Sequence, residues 1–290
     1  MLLSRPEMTF DFGGARLDPV ADRALVGWVL NQFLYGEVAA NQIGEWLYLA
    51  PDIEAARFLA RQAVEELQHV DAFARIMASL GIAPAAPHRL VRFLVTGMRG
   101  RTWPEHVAQV MAAGEGLVLM ALYAVIDTLA APEAVAILER AARQEERHVA
   151  FGETQTMRVV AGRPRLRRRL LGLGLVTLWA VRRLARAIER RAPAGSPVME
   201  KLPAFARAVA ASHELRLRRM GLVDRPVGEM SPLRRAVLVA EAYAGKVLDA
   251  ALALLRAPLR LVGLARPRLL TDHYLDDPAL KDAGPDTVAP

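Results

Sequence analysis

Cysteine is missing altogether from the 290 residues. Its absence removes disulfides, thiolate metal sites and a cysteine nucleophile, and it suits a reducing cytoplasm. Aromatic residues are few, at 6%, and there is almost no strand-like alternation broken by turn dipeptides, so an all-β fold is not expected. The opening residues, MLLSRPEMTFDFGG, lack the apolar run of a secretory signal, and a cytoplasmic location is the expectation. Basic charge is also missing from most of the chain. The net charge is +7, yet residues 163–191 hold ten arginines and one glutamate, +9 by count, which leaves the remainder near −2. The basicity belongs to one segment.

What is abundant is Ala, Leu and Val within a 53% hydrophobic composition, which suits packed helices. Asp18-Pro19 reads as a helix entrance, with apolar periodicity to about Ala50 before Pro51 breaks the hydrogen-bond ladder. A second helix is expected from about Asp52 to Leu80, stopping at Gly81. Residues 81–101 form a long link with one short helical stretch, HRLVRFLVTGM. Thr102 with Glu105 reads as a capping box opening a third helix to about Ala130, and Pro132 starts a fourth that runs to about Ala161. Short, long and short connections give two antiparallel hairpins joined by one crossover, the ferritin-like order of a four-helix bundle. The expected fold is therefore all-α: such a bundle over residues 18–162, basic C-terminal helices over 163–270 packing on it, and a poorly ordered tail over 271–290.

Two Glu-x-x-His pairs carry the chemistry. Glu66 and His69 stand in EELQH, and Glu145 and His148 in QEERH; residues three apart share a helix face, so each pair can aim at one point. Upstream of each pair lies a lone glutamate in an apolar helix, Glu37 and Glu115, at separations of 29 and 30 residues. With the first hairpin turning near Pro51, Glu37 lies 14 residues before the turn and Glu66 15 after it. At about 1.5 Å per residue both sit roughly 21–23 Å from the turn, hence at one level. The second hairpin, turning near Pro132, places Glu115, Glu145 and His148 at 17, 13 and 16 residues from it. All six side chains can meet in one layer. Carboxylates can bridge two cations and neutralise them, and imidazole suits iron. Buried without such cations, four glutamates would each be costly or be forced to protonate.

With these motifs the chain resembles the ferritin-like di-iron carboxylate superfamily over about residues 20–160. QEERHVAFGE is similar to the fourth-helix segment of the oxidase branch, which includes relatives of the ribonucleotide reductase small subunit and the ligand-binding oxidases. The ligand spacing also resembles that of bacterial aldehyde-deformylating oxygenases. The resemblance implies a dinuclear site using O2 as co-substrate, with Glu37, Glu66, His69, Glu115, Glu145 and His148 as ligands; two iron ions are the expectation, Fe/Fe ahead of Mn/Fe. Departures narrow the field. Phe73 stands where radical-carrying reductase subunits place tyrosine, Ala39 and Val110 stand where the ligand-binding oxidases form a Tyr–Val crosslink, and Ala141 stands where arylamine N-oxygenases add a histidine. The expected activity is oxidation of a small, apolar organic substrate by O2, with ferroxidase activity or a tRNA- or membrane-associated hydroxylase as alternatives. No flavin or nicotinamide fingerprint is present, so a separate reductase or ferredoxin is expected to supply electrons.

Neighbouring residues carry weaker signals. Glu65 and Glu146 point about 100° away from the motif glutamates and read as solvated or salt-bridged. Asn41 reads equally as a ligand-supporting amide or a helix-contact amide. Gly36, Gly114 and Gly116 either leave room for substrate or let helices approach. Tyr35 and Tyr123 read as core packing before redox groups. The apolar stretch LLGLGLVTLWAV, twelve residues between arginines, is too short to span a bilayer. It reads first as a core helix over the bundle, and otherwise as an interfacial segment through which 163–191 would touch anionic membrane. A homodimer is also open.

Overall fold

Caps and breaks in the sequence set the helices. The structure, a computed structural model, describes residues 1–97, 100–189, 196–256, 258, 269–273 and 276–278. We label the long helices α1 (Arg23–Ala40), α2 (Ile53–Ser79), α3 (Trp103–Thr128), α4 (Pro132–Val160), α5 (Pro164–Glu189), α6 (Pro197–Arg219) and α7 (Pro232–Leu255). Among the described residues there is no strand: outside the helices lie turns, irregular stretches such as 82–88, and one isolated bridge between Leu17 and Leu129.

The entrance to α1 is a turn rather than helix. Asp18 accepts hydrogen bonds from the Val20 and Ala21 amides, and α-helical geometry begins only at Arg23. At its other end the α-helix stops at Ala40 and tightens into a 3-10 stretch, Asn41–Trp46, instead of running to Ala50. Its last residue, Trp46, is buried and stacks on the His106 ring with centroids 4.4 Å apart. Asp52 caps α2 by accepting from the Ala55 amide. Gly81 follows that helix at φ 62°, the left-handed region that glycine enters freely.

The expected capping box at the start of α3 does not form. The Thr102 side chain makes no cap bond, and Glu105 is fully buried. Its carboxylate instead accepts from the Arg101 amide, lies 2.6 Å from Arg169 of α5 and 3.6 Å from Lys246 of α7. Charge-assisted bonds to two cations outweigh one local cap. Beyond this start α3 widens into π-helical geometry from His106 to Glu115 before returning to α-helix. It is long and apolar enough to cross a bilayer, but most of it is buried among the other helices.

Helices α1 to α4 share one core, with Leu30 and Phe33, Phe73 and Ile76, Leu119 and Tyr123, and Leu138 and Val149 all in the same cluster. Helices α3 and α4 approach closely at Gly152, where a Cβ would lie 2.6 Å from the Ala112 amide nitrogen. Helices α5, α6 and α7 build a second cluster around Leu170, Leu173, Leu217 and Leu238, which meets the bundle at Ala108 and Ala112 of α3. The apolar stretch of α5 is thus packed in protein. Three arginines before it are engaged within the chain: Arg167 with Asp224, Arg168 with Glu241, and Arg169 with Glu105 and Asp249. Of the tail, residues 269–273 and 276–278 dock on the α1–α2 turn, where buried Asp277 accepts from the Ile53 amide at 2.6 Å. Residues 279–290 lie outside the described residues.

Candidate dinuclear metal centre

Four helices deliver six side chains to one layer. Glu37 comes from α1, Glu66 and His69 from α2, Glu115 from α3, and Glu145 and His148 from α4. Five of the six are buried, and Glu115 is partly so. Their ligand-capable atoms fall into two groups, each with every atom within 4.8 Å of the others: Glu37, Glu66, His69 and Glu145 in one, Glu66, Glu115 and His148 in the other. Glu66 belongs to both.

The carboxylates span the two groups in a specific manner. Glu66 turns Oε2 to His69 Nδ1 at 3.6 Å and Oε1 to His148 Nδ1 at 3.3 Å. Glu145 does the same, with Oε1 3.2 Å from His69 Nδ1 and Oε2 3.6 Å from His148 Nδ1. Glu37 completes one end through Oε2, 3.1 Å from His69 Nδ1. At the other end Glu115 Oε1 accepts from Gln62 at 2.9 Å, while Glu115 Oε2 and Glu145 Oε2 are sealed from solvent without a hydrogen-bond partner. Buried carboxylate oxygens without donors are rare unless a cation meets them. The donor set of four carboxylates and two imidazoles therefore fits a pair of divalent cations.

Electrostatics agree with that fit. Burial drives the Glu37 and Glu115 carboxyls well above their usual range, and at Glu115 the charge of Glu145 adds to it. At Glu66 burial is overcome by hydrogen bonds from His148 and His69, so its carboxyl is held below the usual range. Burial also opposes charge on His148, yet Glu145 and Glu66 win and push it up to about 11. His69 shifts in the same direction under Glu145, Glu37 and Glu66. The layer draws positive charge onto itself.

Residues that the spacing did not single out hold the imidazoles in place. Both histidines turn Nδ1 to the carboxylates, and each Nε2 is held by a residue of the opposite hairpin. Glu65 Oε2 takes His148 Nε2 at 2.8 Å, and Gln144 Oε1 takes His69 Nε2 at 2.8 Å. With Nε2 donating to Glu65 or Gln144, Nδ1 is the ring nitrogen left facing the carboxylates, and it is the atom that would meet a cation once its proton is displaced. Glu65 and Gln144 each stand immediately before a motif glutamate, so a doubled pattern, Glu/Gln-Glu-x-x-His, was the signal. Glu65 is salt-bridged to Arg147 at 2.7 Å, as its position suggested, but it is also buried against the site. Gln62, one turn before Glu66, was not anticipated either.

Other candidates take structural places. The Glu146 carboxylate accepts from the Tyr123 hydroxyl at 2.6 Å, and the Arg5 guanidinium lies 4.6 Å above the Tyr123 ring. Burial and the Glu146 hydrogen bond push the Tyr123 phenol up, away from easy ionisation. Tyr35 lies within hydrogen-bond distance of Thr96. Gly116 makes room for neither substrate nor backbone: a Cβ there would lie 2.1 Å from Arg216 Nη1. That arginine, fully buried, reaches from α6 to Glu153 of α4 at 2.9 Å. A Cβ at Gly36 would meet nothing within 4 Å, whereas one at Gly114 would approach the Gln109 carbonyl at 3.1 Å. The Asn41 side chain lies outside the described residues.

Aromatic rings wall the layer. Phe73, one turn beyond His69, stacks on Phe33, one turn before Glu37, at 5.3 Å. On the side toward the hairpin turn Phe58 stacks on Phe151 at 3.9 Å and meets the His148 ring edge-on at 6.2 Å. Comparisons with protein-family models, with curated proteins and with solved structures find no match for the chain.

Proposed function

We propose that the chain is a non-haem di-iron oxidase or oxygenase that uses O2 to hydroxylate, desaturate or N-oxygenate a small, apolar organic substrate. The observation carrying this reading is the disposition of Glu66 and Glu145, each of which divides its two oxygens between the same two imidazoles. One ion would be held by Glu37, Glu66, His69 and Glu145, and the other by Glu66, Glu115 and His148. When bound, the iron pair would supply the redox and Lewis-acid chemistry that these side chains lack. The chain's own work is positional. Glu65 and Gln144 keep a proton on each Nε2, so that Nδ1 remains a ligand. The paired rings of Phe33 with Phe73 and Phe58 with Phe151 exclude water and favour an apolar guest. Electrons would come from a separate reductase or ferredoxin.

Metal content after anaerobic loading with Fe(II), followed by optical absorption on admitting O2, tests the reading. We expect two irons per chain and an oxygen-dependent transient absorption. Glu66→Ala should abolish both sites because Glu66 belongs to both groups, whereas Glu37→Ala and Glu115→Ala should each keep one. No metal above background would refute the proposal. Repeated Fe(II) turnover with no organic substrate oxidised would replace it with iron handling.

A further inference from the structure

Helix α7 is apolar on the face it turns away from the protein. Its inner face is narrow: Leu238 and Ala242 are buried against α5, where Gly172 lets the two backbones approach so closely that a Cβ would lie 2.3 Å from the Leu238 carbonyl. On the opposite side Leu233, Val237, Val247, Leu248, Leu254 and Leu255 stand in solvent, and Leu233, Leu254 and Leu255 are 75%, 76% and 74% exposed. Exposed alanines at 240, 244 and 251 fill the gaps at three- and four-residue spacing, so the stripe runs the full helix. At about 1.5 Å per residue it is roughly 33 Å long. Soluble surfaces scatter single apolar side chains, whereas a contiguous stripe on one face marks a partner.

Charge selects the occupant. The acids on the flanks of α7, Glu241 and Asp249, are already engaged by Arg168 and Arg169. Arg234 and Arg235 at its start and Arg256 just past its end pair with no carboxylate among the described residues. Both ends of the helix are therefore basic, with Arg234 beside the stripe and Arg235 and Arg256 behind it on the side of Leu238. A second copy of the helix offers these cations no free carboxylate, because Glu241 and Asp249 are engaged. An anionic bilayer surface suits both features, with acyl chains for the aliphatics and headgroups for the arginines. We propose that α7 is an interfacial helix that docks the protein on an anionic membrane, its apolar stripe sunk to the headgroup–acyl boundary. The inference is independent of the metal centre.

Co-sedimentation of the full chain with phosphatidylcholine vesicles, with and without phosphatidylglycerol, tests it. Binding should require the anionic lipid and weaken as salt rises. Leu248→Asp with Leu255→Asp should weaken it about tenfold or more, about 1.4 kcal/mol, with circular dichroism and melting temperature unchanged. Arg234→Glu with Arg235→Glu should erase the preference for phosphatidylglycerol while leaving the aliphatic stripe intact. Absence of vesicle binding would overturn the proposal, and so would binding indifferent to the aspartates. A dimer in sedimentation analysis that the aspartates dissociate, without vesicle binding, would assign the stripe to a second copy and overturn it equally.

Discussion

Replacing Glu65 by alanine isolates what holds the metal-facing imidazole. In the native chain Glu65 Oε2 takes His148 Nε2 at 2.8 Å while Oε1 takes Arg147 at 2.7 Å. Removing the carboxylate strands a donor on a ring that is fully buried, and an unpaired buried donor costs about 1–3 kcal/mol. The ring can relieve that cost by turning or by shedding the Nε2 proton while keeping the one on Nδ1, and either change withdraws the ligand atom. Loss of such a supporting partner lowers metal affinity about 10–100-fold, or about 1.4–2.7 kcal/mol. Glu65→Gln should behave differently, because an amide oxygen already does the same task at His69, where Gln144 Oε1 stands 2.8 Å from Nε2. Calorimetric titration of metal-free protein with Co(II), fitted to two sites, provides the measurement. We expect the His148 site alone to weaken in Glu65→Ala, with little change in Glu65→Gln. Equal weakening of both sites, or native affinity in Glu65→Ala, would refute the cross-hairpin support.

Two further predictions concern stability. Gly116→Ala places a Cβ where the Arg216 guanidinium lies, 2.1 Å from Nη1, and should pull that buried cation from Glu153. Breaking a buried pair costs about 3–5 kcal/mol, read as a lower urea midpoint, and Arg216→Met in the same chain should recover part of it. His213 is depressed to about 4 by burial, which its hydrogen bond to the Gly174 carbonyl only partly offsets. Between its ordinary value of 6.5 and about 4 the unfolded chain binds the extra proton. Its stabilising contribution is therefore complete above pH 6.5 and falls away on acidification, by roughly 3 kcal/mol once both states are protonated. Urea unfolding at pH 7.5 and pH 5 should show that slope, and His213→Gln should reduce it; an unchanged slope would place the acid sensitivity elsewhere.

Local pattern is enough to place the helices, the two hairpins and the layer where six side chains meet. Helical spacing puts Glu66 with His69 and Glu145 with His148 on shared faces, and the distances to Pro51 and Pro132 set their level. These are local quantities, fixed by rise per residue and by where a proline interrupts the ladder. Local signals failed where a long-range partner could outbid them. Glu105 left its cap for Arg169 and Lys246, and the end of α1 tightened as Trp46 stacked on His106. It takes the packed helices to bring Glu65 to His148 and Gln144 to His69, 83 and 75 residues away. Only packing could show that Gly116 accommodates an arginine from α6 and that α7 leaves an apolar stripe uncovered. Periodicity reveals which side chains share a face, but what that face meets depends on how distant helices fill space and on which charges they bring within reach.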